Sequence, residues 1–158
     1  MKIRTRLAVV ACLAIAFSCS CLAQGRSPLD QGYWRPESNT ARSITGDISI
    51  AEAKITIGFS GYVIAQIRAL QPAEAGAAFD VDVSAPGNGN LYRTSIPAGK
   101  RFSHHNTLCG SDDTQWIATW VTGNTMQMAL FSGEKMPALT RDALNNSTNL
   151  CGTYAYTR

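Results

Sequence analysis

The chain has 158 residues, of which 45% are hydrophobic and 16% are charged, and its formal net charge is +3. The excess positive charge lies within residues 1–23, because the rest of the chain holds 11 basic and 11 acidic residues and is formally neutral. A neutral chain of this length suits one domain with a substantial core and has no basic stripe for following phosphates. We therefore expect no nucleic-acid partner.

Residues 1–23 have the pattern of a secretory signal peptide. A basic start precedes an apolar run over residues 7–17, and a small residue, Ala23, closes a cleavage site before Gln24. The apolar run is too short to cross a bilayer, which takes about 20 residues in a helix. We expect a periplasmic or secreted protein with no membrane span. A lipid anchor is the alternative. The residues before Cys12 fit a lipobox in type but lie too early in the apolar run, whereas those before Cys19 are better placed but include Phe17.

Removal of the leader leaves two cysteines, Cys109 and Cys151, in a compartment where thiols oxidise. Both occur in the same local sequence, Leu-Cys-Gly. We predict a single disulfide between them with a structural role, worth about 4 kcal/mol by the loop-entropy estimate. A redox role is less favoured, because the chain has no Cys-x-x-Cys spacing.

The remaining sequence divides into an extended arm, residues 24–41, and a single β domain, residues 42–158. The arm is rich in Gly, Pro, Ser and Asn, whereas the domain shows apolar residues that alternate with polar ones. Predicted strands cover residues 43–50, 53–57, 62–70, 79–83, 91–96, 114–122, 125–131 and 152–157. The pattern predicts an all-β fold, a small antiparallel barrel or sandwich of about eight strands with at most one short helix, within residues 137–145.

The clearest local signal is a hairpin with Gly123 and Asn124 in its turn, because both residues tolerate the positive φ of primed turns. The implied register pairs Val121 with Met126, Thr119 with Met128 and Ile117 with Leu130 on one face, and Trp120 with Gln127, Ala118 with Ala129 and Trp116 with Phe131 on the other. The second face is an aromatic floor that could bind a flat or apolar ligand. The alternative is that a neighbouring element covers it as ordinary core.

No catalytic or metal site is predicted. His104 and His105 lie in a polar stretch with Asp112 and Asp113, but adjacent histidines in a strand face opposite sides, so we expect exposed histidines without a metal. The chain has no Gly-x-Ser-x-Gly sequence and no phosphate-binding glycine loop. We therefore expect a protein that is not an enzyme and has no cofactor.

Several segments resemble small exported proteobacterial β proteins that have no assigned activity. They are Ser-Ile-Thr-Gly-Asp-Ile at residues 43–48, Trp-Ile-Ala at 116–118, and the two Leu-Cys-Gly segments, the second of which continues into Thr153 and Tyr154. The resemblance implies secretion and an all-β domain, and it transfers no site residues. Lipocalin-like barrels and periplasmic lysozyme inhibitors share only the general format of a small disulfide-linked β domain.

Two functions are consistent with these features. The first is an exported, non-enzymatic binding module that recognises a protein or a cell-envelope component, of the inhibitor or immunity type. The alternative is a carrier that holds a small apolar ligand against Trp116, Trp120 and Phe131 in a lipocalin-like barrel. A carrier needs a cavity lined by those rings, whereas a macromolecular binder needs an exposed patch or a protruding loop. The sequence leaves the partner's identity and the oligomeric state open.

Overall fold

The structure, a computed structural model, describes residues 29–158, so the predicted signal peptide lies outside the described residues. Eight antiparallel strands form a closed barrel in which each strand pairs with its neighbours in the chain. The strands are β1 (Gly32–Pro36), β2 (Ile48–Ala51), β3 (Lys54–Ile57), β4 (Ser60–Ala69), β5 (Asn90–Ile96), β6 (Thr114–Thr122), β7 (Thr125–Ser132) and β8 (Leu150–Thr157). The helices are α1 (Asn39–Ile44), α2 (Pro72–Phe79) and α3 (Arg141–Asn145), and Ser103–His105 form a 3-10 turn.

The predicted all-β class is confirmed, and the fold is a barrel rather than a sandwich. β1 closes it: residues 32–34 pair with β2, whereas Arg35 and Pro36 pair with β8. The β6–β7 register is confirmed at every predicted pair, including Trp116 with Phe131 and Trp120 with Gln127. The short helix expected within residues 137–145 is α3, and α1 and α2 are two further helices that the sequence did not predict. No described helix is both long enough and apolar enough to span a membrane.

The strand predicted over residues 79–83 is wrong, because helix α2 occupies residues 72–79. Pro72 begins this alanine-rich helix, where its fixed φ is favourable, and Glu74 accepts a hydrogen bond of 2.9 Å from the backbone N–H of Gln71. Asp80 ends the helix in a left-handed conformation, with φ of 54°. The alternation of Phe79, Val81 and Val83 therefore comes from a helix end and a loop rather than from a strand.

The proposed boundary of the N-terminal arm at residue 41 is too late. Residues 32–36 form β1 and α1 begins at Asn39, so the barrel includes much of the expected arm. The Gly and Pro residues of this segment suggested a loop, but Trp34 is fully buried and fixes β1 in the wall. Ser38 caps α1 through its hydroxyl, which accepts a hydrogen bond of 3.1 Å from Ala41.

Two apolar clusters lie on the two sides of the barrel wall. The inner cluster fills the lumen, and its largest fully buried side chains are Trp34, Tyr92, Tyr154, Tyr156, Ile48, Ile55, Ile57, Ile96, Ile117 and Met126. The outer cluster lies between β5–β7 and the segments that cover them, and it includes Ala75 of α2 and Leu139. An eight-stranded barrel is just wide enough to be filled by its own side chains, as this one is.

The predicted disulfide between Cys109 and Cys151 is present, with a Cα–Cα distance of 4.8 Å and a sequence separation of 42. It links the loop before β6 to the start of strand β8. The bridge therefore holds the long loop over residues 97–113 against the wall of the barrel.

Candidate functional site

A pocket of about 230 Å³ lies on the outside of the barrel, beside the turn between β3 and β4. We call it the Phe59 pocket, and its lining includes Tyr33, Asp47, Ser49, Thr56, Phe59 and Ser103. Tyr33 pairs with Ser49, and Ser49 pairs with Thr56, so these three residues form a row across β1, β2 and β3. The floor is therefore made of small hydroxyl side chains, with an aromatic ring at one end.

Phe59 occupies the tip of the β3–β4 hairpin and has an unusual conformation. Ile57 pairs with Ser60, which leaves Gly58 and Phe59 as a two-residue loop with φ of 53° and 67°. Two positive φ angles define the primed turn that suits a hairpin, but the second position favours Gly or Asn and not an aromatic residue. The Phe59 side chain is also fully exposed, at 104% of its reference area. A large apolar group is thus presented to solvent at a strained position.

The side chains of Asp47 and Tyr33 are hydrogen-bonded to each other in the lining of the pocket. The Tyr33 hydroxyl donates a hydrogen bond to Asp47 Oδ2, and this bond raises the pKa of Tyr33. Asp47 is the one charged side chain that the described part of the chain contributes to the lining of the pocket. The bond holds the carboxylate at the hydroxyl end of the Tyr33 side chain.

The neighbouring loop adds two more residues in left-handed conformations. His104 and His105 have φ of 55° and 61°, and both are exposed. Phe102 supports this loop from beneath, with its ring 6.2 Å from that of Tyr62. This loop lies against the β3–β4 turn, because a Cβ atom on Gly58 would be 3.7 Å from the Phe102 ring. Three of the four non-glycine residues with positive φ in the described chain, Phe59, His104 and His105, therefore lie at this end of the barrel. Such conformations tend to cluster at binding sites.

The two histidines do not gather further metal ligands among the described residues. No group of three or more His, Cys, Asp or Glu side chains there could hold a metal ion. Cys109, which the sequence places near them, is engaged in the disulfide.

A second polar cluster lies at the opposite end of the barrel, where β4 ends and β5 begins. Asp30 is 1% exposed, and its Oδ2 accepts hydrogen bonds from Thr119 at 2.6 Å, Tyr92 at 2.8 Å and Asn90 at 3.0 Å. Burial, followed by the charge of Asp30, strongly raises the pKa of Tyr92. Oδ1 of Asp30 has no hydrogen-bond partner among the described residues. The segment before β1 is thereby anchored inside the end of the lumen.

The aromatic residues that the sequence predicts as a ligand floor lie together, as expected, but on the outer face of the wall. Trp116, Trp120 and Phe131 are 7%, 3% and 1% exposed within the outer cluster. Gly87 lies against the indole of Trp120, where a Cβ atom would come within 2.5 Å of the ring. The Trp116 ring is covered on one side by the Arg93 guanidinium, 4.8 Å from its centroid. A role for these rings in ligand binding stays a prediction.

No sequence pattern marked Tyr33, Asp47 or Phe59 as candidate site residues. One signal was present: residues 58–61, which include two glycines, separate the predicted strands 53–57 and 62–70 by a short spacing typical of a hairpin. The exposure of Phe59 has no such signal, because a phenylalanine in a β-rich sequence is expected to be core.

Comparison of the chain with protein-family models, with curated proteins and with solved structures finds no match in any of the three.

Proposed function

We propose that this protein is an exported, non-enzymatic binding protein that recognises another protein or a cell-envelope component through the end of the barrel that carries the Phe59 pocket. The observation that supports this most is Phe59 itself. It is fully exposed and held in a left-handed conformation at a hairpin tip.

The energetics of Phe59 favour a functional explanation. A non-glycine residue in this region of φ costs on the order of 1 kcal/mol or more. The ring has no compensating burial in the protein alone. Aromatic side chains that enter a partner's pocket supply much of the binding energy at protein interfaces. A partner that covers the ring would therefore offset a cost that the free protein carries.

The carrier alternative has less support. The inward-facing side chains of the barrel pack together as one buried cluster, and Trp116, Trp120 and Phe131 face away from it. A ligand between those rings would have to displace the segments that cover them, including α2 and the loop at Gly87. The effect of Trp120→Ala on stability and on the binding of apolar probes tests this alternative directly.

A site-specific crosslinking experiment tests the proposal. A photoreactive phenylalanine analogue replaces Phe59 in one variant and Ile67 in a matched control, since Ile67 is half exposed on the far part of β4. Irradiation in intact cells should give a discrete adduct from position 59 and none from position 67. Phe59→Ala should then weaken binding of the identified partner by tenfold or more, the effect of a modest hot spot.

Two outcomes would reject the proposal. One is an adduct of equal yield from both positions, and the other is an unchanged affinity of the Phe59→Ala variant. In either case the contact surface must lie elsewhere on the molecule.

A further inference from the structure

We propose that the Phe59 pocket receives one basic side chain, an arginine or a lysine, of a partner protein. This inference rests on the proposed function, because it assumes that the partner is a protein and that it contacts this end of the barrel. It adds the chemistry by which the partner is recognised.

The charge of the pocket supports a cationic occupant. Among the described residues, Asp47 is the one charged residue that lines the pocket, and the other polar side chains of the lining are hydroxyl groups such as those of Ser49 and Thr56. Asp47 forms no ion pair with a described Lys or Arg, since the two ion pairs found there are Arg68–Glu74 and Arg141–Asp80. Its Oδ2 accepts a hydrogen bond from the Tyr33 hydroxyl, and no residue within 29–158 donates one to Oδ1, which can therefore accept from a partner's donor.

Two basic residues lie nearby without filling the pocket. Arg35 follows Tyr33 on the same outward face of β1, and Lys54 extends over Gly61 on the β4 side of Thr56. Neither residue lines the pocket. They limit the attraction of Asp47 for distant cations, so recognition has to come from short-range contacts inside the pocket.

The aromatic rings supply such contacts. Tyr33 and Phe59 both line the pocket and are both exposed, at 55% and 104% of their reference areas. A cation is attracted both to the face of an aromatic ring and to a carboxylate, even at an exposed position. A guanidinium can contact a ring with its face and a carboxylate with its edge, which makes arginine the better fit.

The size of the pocket favours a single side chain. At about 230 Å³ it is smaller than the 300–1,000 Å³ that is typical of small-molecule sites. Its position beside the protruding turn also means that a partner seated on Phe59 would place its neighbouring residues over Asp47.

NMR titration of the labelled exported protein tests this inference with defined probes. N-acetyl-arginine amide should shift the amide signals of Gly46, Asp47, Gly58 and Phe59 in a saturable manner. N-acetyl-citrulline amide has nearly the same shape without the charge, and it should bind about fivefold to tenfold more weakly. Asp47→Asn should remove this preference, whereas Asp112→Asn, a change at an exposed acid outside the pocket, should leave it intact.

Equal binding of the arginine and citrulline probes would overturn the inference, as would an Asp47→Asn variant that still prefers arginine. The crosslinking experiment keeps this failure separate from that of the proposed function. If binding of the identified partner requires Phe59 but not Asp47, the proposed function is kept and the inference of a basic side chain is rejected. Arginine binding without any adduct from position 59 would instead reject the proposed use of the pocket.

Discussion

The guanidinium of Arg158 lies over the indole of Trp34, with its central carbon 4.4 Å from the ring centroid. Arg158 also donates a hydrogen bond of 2.9 Å to the carbonyl of Leu29, and the Trp34 indole donates one of 2.8 Å to the carbonyl of Asp30. These contacts hold the segment that carries Asp30 at the end of the lumen. The stability of the closed barrel should therefore depend strongly on Asp30.

Asp30→Ala should lower the free energy of unfolding by about 3 kcal/mol, because it leaves the buried donors of Asn90, Tyr92 and Thr119 without their common acceptor. Urea denaturation followed by circular dichroism measures this change. Glu52→Ala, at an exposed turn, is the control and should stay within about 0.5 kcal/mol. Equal stability of the two variants would show that the network contributes little.

Phe59→Gly should raise the free energy of unfolding by about 1 kcal/mol, because glycine adopts the left-handed conformation without a steric cost. The matched control is Val63→Gly, which removes an exposed apolar side chain from regular strand β4 and should destabilise by about 1 kcal/mol. Opposite signs are the expected result. A loss of stability in both variants would contradict the claim that the turn is strained.

Replacement of both Cys109 and Cys151 by Ala should lower the free energy of unfolding by about 4 kcal/mol, since the bridge closes a sequence separation of 42. Dithiothreitol should lower the denaturation midpoint of the natural protein towards that of the double variant. The double variant should not respond to the reductant, which makes it the internal control. A natural protein that is equally insensitive to dithiothreitol would contradict a stabilising role for the bridge.

Trp120→Ala should destabilise the protein by about 3–5 kcal/mol, because the indole is buried in the outer cluster and its removal leaves a large cavity. Thermal unfolding gives this change, and the same sample can be tested with apolar fluorescent probes. A carrier that uses Trp116, Trp120 and Phe131 would instead show a shift of tryptophan emission on adding a probe. It would also lose probe binding, with its fold intact, when Trp120 is replaced.

Stability should fall at alkaline pH because buried tyrosines hold their protons in the folded state. Burial raises the pKa of Tyr154 from 10.0 to about 12, and it raises those of Tyr92 and Tyr156 as well. The unfolded chain releases these protons near pH 10, so unfolding is favoured increasingly between pH 10 and 12. Tyr154→Phe should reduce the slope of stability against pH in this window. An unchanged slope would show that Tyr154 titrates normally.

The all-β class and the β6–β7 register could be predicted because both depend on local patterns. The choice between a barrel and a sandwich could not, because closure depends on the pairing of β1 with β8. A glycine–asparagine turn fixes its own hairpin, and the pairing of Trp116 with Phe131 then follows by counting. The strand at residues 32–36 could not be predicted in this way, because Trp34 is held by contacts that leave no periodic pattern. Asp30 is close to it in sequence but outside the strand, and Arg158 lies at the other end of the chain.

The Phe59 pocket is also a product of tertiary structure. Tyr33, Asp47 and Phe59 belong to three different segments, and only the pairing of β1 with β2 and of β2 with β3 brings them together. Hydrophobic periodicity shows which side chains face a core, but it does not show that a phenylalanine at a turn stays in solvent. The exposure of Phe59 had to be observed in the structure.

The strand order also has a consequence for folding and aggregation. Seven of the strand pairings join neighbours in the chain and can form in succession, whereas the pairing of β1 with β8 requires residues from both ends of the barrel. Until residues 150–157 are available, the sheet is an open ribbon with unpaired edges at β1 and β7, and such edges invite pairing between molecules. Ring closure is therefore the step that converts an aggregation-prone ribbon into a protected barrel, and mutations that weaken β8 should act first on solubility.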